Sequence, residues 1–300
     1  MVGRLLSASS LLFYCRACAP APGPGRARLY GKVFYPSYGI SRFGSSAVLP
    51  LLVVDSLVKV YPGGVRALRG ISFSVEEGEV FGLVGPNGAG KTTAFRVIAT
   101  LLKPTRGRVT VDGVDVEQEP YEARKKLVYV PEDVGGYRRL TGLEYLSFVI
   151  EVFMSARGAA RSEVNEALEE AVRLTGLSEE KLRKTRMQDY SKGMKRRVQV
   201  AWALAVKPRL AILDEPTSGL DVEASYELRR VIAEYARKHR VTVVLSSHNM
   251  LEVEYLCDRV ALMKDGRIVD MGSPRELVEK YNARNLEEAY MKAVAGAGGQ

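Results

Sequence analysis

From residue 51 onward, short apolar runs alternate with longer amphipathic stretches. LLVVDSLVKVY (51–61), GISFSV (70–75) and EVFGLV (79–84) are rich in β-branched and aromatic residues, the composition of strands. KTTAFRVIATLL (91–102) changes to a helical period. KLVYV (126–130), LAILD (210–214), VTVVLSS (241–247), RVALMK (259–264) and RIVDMG (267–272) predict further strands. Buried strands alternating with helices imply an α/β fold, with a mostly parallel sheet covered on both faces. Residues 142–205 are mostly helical in period, as in SEVNEALEEAVRLTGL (162–177). They arrive as one block, which predicts a helical subdomain over about 135–205 inserted into the sheet's topology. No internal repeat is visible.

Composition changes this picture mainly at the amino terminus. Residues 1–50 contain six basic residues (Arg4, Arg16, Arg26, Arg28, Lys32 and Arg42) and no acid. The other 250 residues balance 38 basic against 35 acidic side chains, so most of the formal charge of +9 sits in that segment. A nearly neutral body gives little support to nucleic-acid binding, and none is expected. APAPGPGRAR (19–28) is a linker composition, followed by scattered aromatics. The segment reads as a disordered extension or upstream sequence, as a basic arm touching anionic lipid or a partner, or as a secretory signal. Three cysteines make no disulfide framework. Cys15 and Cys18 form one CxxC with no second ligand pair, which is not enough for a zinc site. No run reaches the ~18 apolar residues of a membrane helix. Work at a membrane would therefore involve another chain.

Two motifs carry chemistry. GPNGAGKTT (85–93) satisfies G-x-x-x-x-G-K-[ST] through Gly85, Pro86, Asn87, Gly88, Ala89, Gly90, Lys91 and Thr92, with Thr93 following. An apolar strand enters it and a helical run leaves, the context that a phosphate cradle requires. Its glycines let successive N–H groups point into one concavity, where the helix dipole adds positive potential. Lys91 supplies a charge for β/γ-phosphates and the Thr92 hydroxyl a ligand for Mg²⁺. LAILDEP (210–216) delivers Asp214 and Glu215 to the carboxyl end of a buried strand, where ligands bind in open α/β sheets. Asp214 is expected to hold Mg²⁺, and Glu215 to polarise an attacking water as general base.

A third stretch, DYSKGMKRRVQVAWALA (189–205), opens an amphipathic helix with a serine, a glycine and several bases. Ser191 is a good N-cap, and the free N–H groups behind it form an anion site without a cradle. Taken alone, it is equally an ordinary basic helix start.

With these three stretches in this order, the chain resembles the ATP-binding subunit of ABC transporters from about Leu51 to its end. The resemblance implies a P-loop NTPase (RecA-like) core, an N-terminal antiparallel β subdomain, the inserted helical subdomain, and a C-terminal helix and tail over 286–300. Tyr190, Ser191, Lys192, Gly193 and Met194 occupy the family's LSGGQ signature. Ser191 and Gly193 are then expected to approach a γ-phosphate held by the P-loop of a second subunit, in a head-to-tail dimer around two ATP. Lys192 departs from the pattern, either altering affinity or pointing to solvent. Tyr61, in LVKVYPGG (57–64), falls where the family stacks an aromatic on adenine. His248 matches the switch histidine that orients the catalytic water, and Asp221 of SGLD (218–221) the loop that communicates across the dimer. Glu132, in VYVPEDVGGYRRLTGLEYL (128–146), stands where a glutamine usually reaches Mg²⁺. Its carboxylate either coordinates the metal or faces solvent. The insert that follows is where the family docks its membrane chain, although the apolar face of Leu143, Tyr145, Leu146, Phe148, Val149 and Phe153 is equally explained by core packing.

One cradle and no long coiled coil set the chain apart from the family's translation-factor and chromosome-maintenance branches. Residues 246–277 and 285–296 look like the ATPases that pair with ABC-2 type permeases, which implies an exporter's ATPase at the cytoplasmic face of the cell membrane. The expected partners are permease subunits on a separate chain and a second or paired ATPase subunit. Alternatives are an importer ATPase, a non-transport regulator of a membrane partner, and a module that holds ATP without hydrolysing it.

Overall fold

The computed structural model describes residues 50–133 and 137–297. The basic N-terminal segment, with its CxxC pair and its extension, arm and signal readings, lies outside the described residues.

β1 (Leu52–Val60) and β2 (Arg66–Val75) form an antiparallel pair. Leu68, Ile71, Phe73 and Val75 of β2 are buried while Arg66 and Arg69 are exposed, as a strand with one covered face requires. β3 (Val80–Val84) is buried at all five positions and leads through residues 85–90 into α1 (Lys91–Ile98). β4 (Arg106–Val111) and β5 (Val114–Asp115) then return to the first pair, completing an antiparallel sheet in the order β2-β1-β4-β5. The apolar pattern does not reveal β4. Its segment RGRVTV opens with three exposed residues and buries only Val109 and Val111.

After α2 (Pro120–Lys126) and β6 (Leu127–Val130) come the helices of the predicted insert: α3 (Gly142–Ala156), α4 (Arg161–Thr175), α5 (Glu179–Lys184) and α6 (Lys192–Ala205). Thr141 and Glu144 close a capping box on α3, and Ser178 and Ser191 cap α5 and α6. Core packing accounts for most of the apolar face of α3. Tyr145 and Leu146 are buried and Leu143, Val149 and Phe153 pack against them, while Phe148 stays 43% exposed.

The chain continues through β7 (Leu210–Asp214), α7 (Val222–His239), β8 (Thr242–Ser247), α8 (Met250–Leu256), β9 (Arg259–Lys264), β10 (Arg267–Gly272), α9 (Pro274–Lys280) and α10 (Leu286–Ala297). The second sheet has the order β10-β9-β3-β8-β7-β6, parallel throughout except for β10 at its edge. Alternate residues of β7 enter different cores. Ala211 and Leu213 belong to the core that includes Val200 and Leu204 of α6, whereas Leu210 and Ile212 belong to the core that includes Phe95 and Ile98 of α1. Burial of each large apolar side chain contributes about 1.5–3 kcal/mol before entropy is counted. Phe73 stacks on Phe81 at 5.2 Å between centroids, joining the antiparallel sheet to β3. No helix among the described residues is long and apolar enough to cross a membrane.

Because β3, β6, β7 and β8 run parallel, their carboxyl ends open on one edge. That edge receives Gly85, Glu132, Asp214, Glu215 and His248, which are far apart along the chain.

Candidate functional site

Packing shapes the cradle before any ligand is considered. A Cβ at Gly85 would collide with the backbone carbonyl oxygen of Met263 in β9. Gly90 takes φ 106°, and a Cβ there would lie 2.6 Å from the Ala67 carbonyl oxygen. Only glycine fits either place. Pro86, Asn87 and Gly88 form an exposed rim, and Ala89 is buried beneath it. Lys91 is only 5% exposed, and its Nζ donates to the carbonyl oxygens of Gly85 at 2.6 Å and Pro86 at 3.4 Å. Tyr61, at the end of β1, reaches the cradle through its hydroxyl, 3.3 Å from Thr93 Oγ1. The Lys59 ammonium lies 5.6 Å from the centroid of its ring.

The two acids have different surroundings. Asp214 is fully buried, and its Oδ1 accepts from Ser246 Oγ at 2.6 Å and Thr92 Oγ1 at 3.3 Å. Its Oδ2 accepts from the Tyr129 hydroxyl at 3.1 Å. Burial, reinforced by the Asp214 charge, holds that phenol protonated well above the usual tyrosine range. Glu215 takes φ 48°, the left-handed region that β-carbon-bearing residues occupy only under restraint. Its N–H donates to Ser246 Oγ at 2.9 Å, so one hydroxyl serves both acids. Glu215 Oε2 lies 2.8 Å from His248 Nδ1, and Oε1 lies 3.1 Å from Lys91 Nζ in an ion pair without hydrogen-bond alignment. A continuous line Lys91–Glu215–His248 results, buried at the lysine end and half-exposed at the histidine.

The remaining sequence-predicted residues lie at the margin of this group. Glu132 is exposed, and its Oε1 accepts from Ser218 Oγ at 3.4 Å. Among the described residues no hydrogen bond joins Glu132 to Thr92 or Asp214. Asp221 caps α7, accepting from the Ala224 N–H at 2.8 Å, so its carboxylate has a partner within its own chain. Ser191 caps α6 by accepting from the Met194 N–H at 3.2 Å and is exposed. Gly193 sits against Ala224 and Leu220, and Lys192 runs along Gly219 of the SGLD loop. Among the described residues no hydrogen bond or ion pair links Ser191 or Lys192 to the cradle.

Three residues at this edge escape sequence reasoning. Tyr129 and Ser246 lie within apolar runs that read as strands; the signal was a hydroxyl-bearing residue inside an otherwise apolar strand. Arg196 is hidden among Lys195 and Arg197, yet it shares a helical face with Val200 and Ala203. It is completely buried, and its guanidinium donates to the carbonyl oxygens of Pro131 (2.6 Å), Glu132 (2.6 Å) and Glu215 (3.2 Å).

The donor set fits a hard divalent cation. Thr92 and Asp214 offer oxygens 3.3 Å apart, and Mg²⁺ takes one or two protein oxygens together with phosphates and water. Among the described residues there is no group of three or more His, Cys, Asp or Glu side chains that could hold a metal ion.

A glycine cradle, a buried lysine and a strand-end acid pair on the carboxyl edge of a parallel sheet define a P-loop nucleotide-binding fold. Residues 68–218 match the family described as ABC transporter. The chain is 36% identical over 234 residues to the ABC transporter ATP-binding protein NatA of Bacillus subtilis, covering 77% of this chain and 92% of that protein. It is 35% identical over 252 residues to the linearmycin resistance ATP-binding protein LnrL of the same organism, covering 81% and 78%. It spans only 24% of the length of ABC transporter A family member 4 of Arabidopsis thaliana, to which it is 37% identical over 235 residues. Its fold superimposes with a TM-score of 0.66 and 25% identity on the dimeric ATP-binding cassette MJ0796 bound to ADP and Pi, covering 74% of this chain and 98% of that one. The chain belongs to the ABC transporter ATP-binding family, whose members hydrolyse ATP.

Proposed function

We propose that this chain is the ATP-hydrolysing motor of a transporter, closing head-to-tail with a second ATPase subunit around two ATP and driving a separate permease of the ABC-2 type. The observation that carries this reading is the line Lys91–Glu215–His248, buried at its lysine and glutamate, beside the Thr92–Asp214 pair.

Lys91 and the N–H groups of residues 87–92 bind the phosphates, and Tyr61 stacks on the base. Thr92 and Asp214, with Glu132 brought in from the neighbouring loop, hold Mg²⁺. The ion, when bound, neutralises phosphate charge and aligns the oxygens around the terminal phosphorus. Glu215 accepts the proton of the attacking water, and His248, bonded to its second oxygen, orients the carboxylate. Ser191 and Gly193 belong to the half-site that meets the partner's nucleotide, and Asp221 supports that contact from the start of α7. The exposure of Ser191 and Asp221 supports a role in trans, as does the dimeric MJ0796 cassette.

Work comes from differential affinity. A ligand bound equally by the open and closed pairs would move nothing, so the γ-phosphate must favour the closed pair. Tyr137, Phe148 and Val152, exposed on and beside α3, support docking of a membrane chain there, which would place the motor at the cytoplasmic face of the membrane. The kinship with LnrL, whose name denotes resistance, supports export.

Glu215→Gln is expected to retain ATP and accumulate dimer in size-exclusion chromatography, while turnover falls about 10²–10⁴-fold. Undiminished turnover in that variant removes Glu215 as the base.

A further inference from the structure

Arg196 has features that a packing residue does not need. It projects from α6 into a site with no solvent exposure. Among the described residues no carboxylate lies within ion-pair distance of it. Its charge is met at longer range by Asp214, Glu132, Asp133 and Glu215, while burial opposes it. A leucine or methionine could fill similar volume on this helix face without desolvating a cation. The guanidinium adds direction. One nitrogen reaches the Pro131 carbonyl at 2.6 Å, and the other reaches those of Glu132 at 2.6 Å and Glu215 at 3.2 Å. These three acceptors belong to two different loops.

We infer that Arg196 is a positioning residue that couples the Ser191 end of α6 to the placement of Glu215 and Glu132 in the same chain. The inference rests on the motor reading above and deepens it. Ser191 and Arg196 belong to one helix start and are separated by about 7–8 Å of helical rise. A shift of that start on meeting the partner's nucleotide therefore moves the guanidinium with it. Glu215 receives the shift through its carbonyl, because its left-handed backbone is held at the N–H by Ser246 and at the carbonyl by Arg196 and the Ser218 N–H. Glu132 receives it in the same way. The clamp thus links the half-site that senses a partner to the carboxylate that activates water.

The test uses the full chain with Arg196→Lys and Arg196→Gln, measuring kcat, KM for ATP, the Hill coefficient and thermal melting. Lysine keeps the charge but cannot span both loops with a planar fork. Arg196→Lys is expected to lower kcat about 10-fold and Arg196→Gln about 100-fold, the scale of a misplaced catalytic group. KM should stay within about twofold, as expected when ground-state binding is untouched. The Hill coefficient should fall toward one.

If both variants keep wild-type kcat and cooperativity, the inference fails. It also fails if kcat falls only in proportion to lost folded protein, or if both variants are unfolded at low temperature, because Arg196 is then structural. Glu215→Gln separates the two levels. If it abolishes turnover while Arg196→Lys is silent, only the coupling falls; if it leaves turnover intact, the motor reading falls first.

Discussion

The sheet-borne and helix-borne halves of the site are built in opposite ways. Asp214 and Glu215 sit at the end of β7 and Lys91 opens α1 just after the loop that follows β3; all three are at most about 5% exposed and are bonded to one another or to shared neighbours. Ser191 and Lys192 open a helix, are exposed, and bond only to their own turn or lie along the SGLD loop. The first half is complete within the chain and the second is not. A helix N-terminus with capped serine and free N–H groups attracts an anion but does not enclose it. The contrast teaches that the chain carries a buried, internally bonded cradle and a separate exposed helix start, which in the proposed motor would meet the partner's nucleotide.

The sharpest test sets the halves against each other. Lys91→Ala should weaken nucleotide binding to the isolated chain about 100-fold, roughly 2.7 kcal/mol. Ser191→Ala should leave that affinity within about twofold, costing about 1 kcal/mol of stability through the lost cap. Turnover should collapse in both. Fluorescent-nucleotide titration beside ATPase assays reads the difference, and equal loss of monomer affinity would erase the distinction between the halves.

A smaller effect sharpens the sheet-borne side. Tyr129→Phe removes one hydrogen bond to a buried carboxylate, worth about 1.5–3 kcal/mol. Ser246 and Thr92 still hold the other oxygen of Asp214. Stability should drop by that amount in urea titrations and kcat by about 10-fold. A variant with unaltered kcat would show that Thr92 and Ser246 suffice to place the metal ligand.

The smallest effect lies in α8, at Glu252. Glu252 is 1% exposed, with Oε2 accepting from Ser247 at 2.6 Å and Oε1 lacking a partner. Burial, helped by the Glu215 charge, raises its pKa above the usual carboxyl value, against the hydrogen bonds from Ser247 and Thr217. The protonated form is therefore favoured by folding. Its contribution is present below the unfolded pKa and is lost as pH rises through the folded value. Glu252→Gln, neutral throughout, should melt a few degrees higher at pH 8 and lose that advantage toward pH 4. An advantage that grew on acidification would reverse the sign and place the carboxylate in a charge-favouring environment.

Much of this arrangement was legible along the chain. GPNGAGKTT is local, so its glycines, lysine and threonine announce a cradle within nine residues. LAILDEP shows a buried strand ending in two acids. The helical block over 142–205 shows in its period, and the structure places α3 to α6 there. β4 was not legible, because RGRVTV pairs through its backbone while presenting polar side chains outward. Arg196 was not legible either. Its basic neighbours hid a residue whose face along α6 is apolar.

By itself the sequence determined which residues could do chemistry and the order in which strands and helices carry them, since both follow from neighbours within a few turns or pleats. Only the tertiary structure decided who touches whom. Ser246 reaches Asp214 across 32 residues, His248 reaches Glu215 across 33, and Arg196 reaches Glu132 across 64. A hydrogen bond acts over about 3 Å, so such partnerships exist only after parallel strands and a packed helix have brought distant segments to one edge.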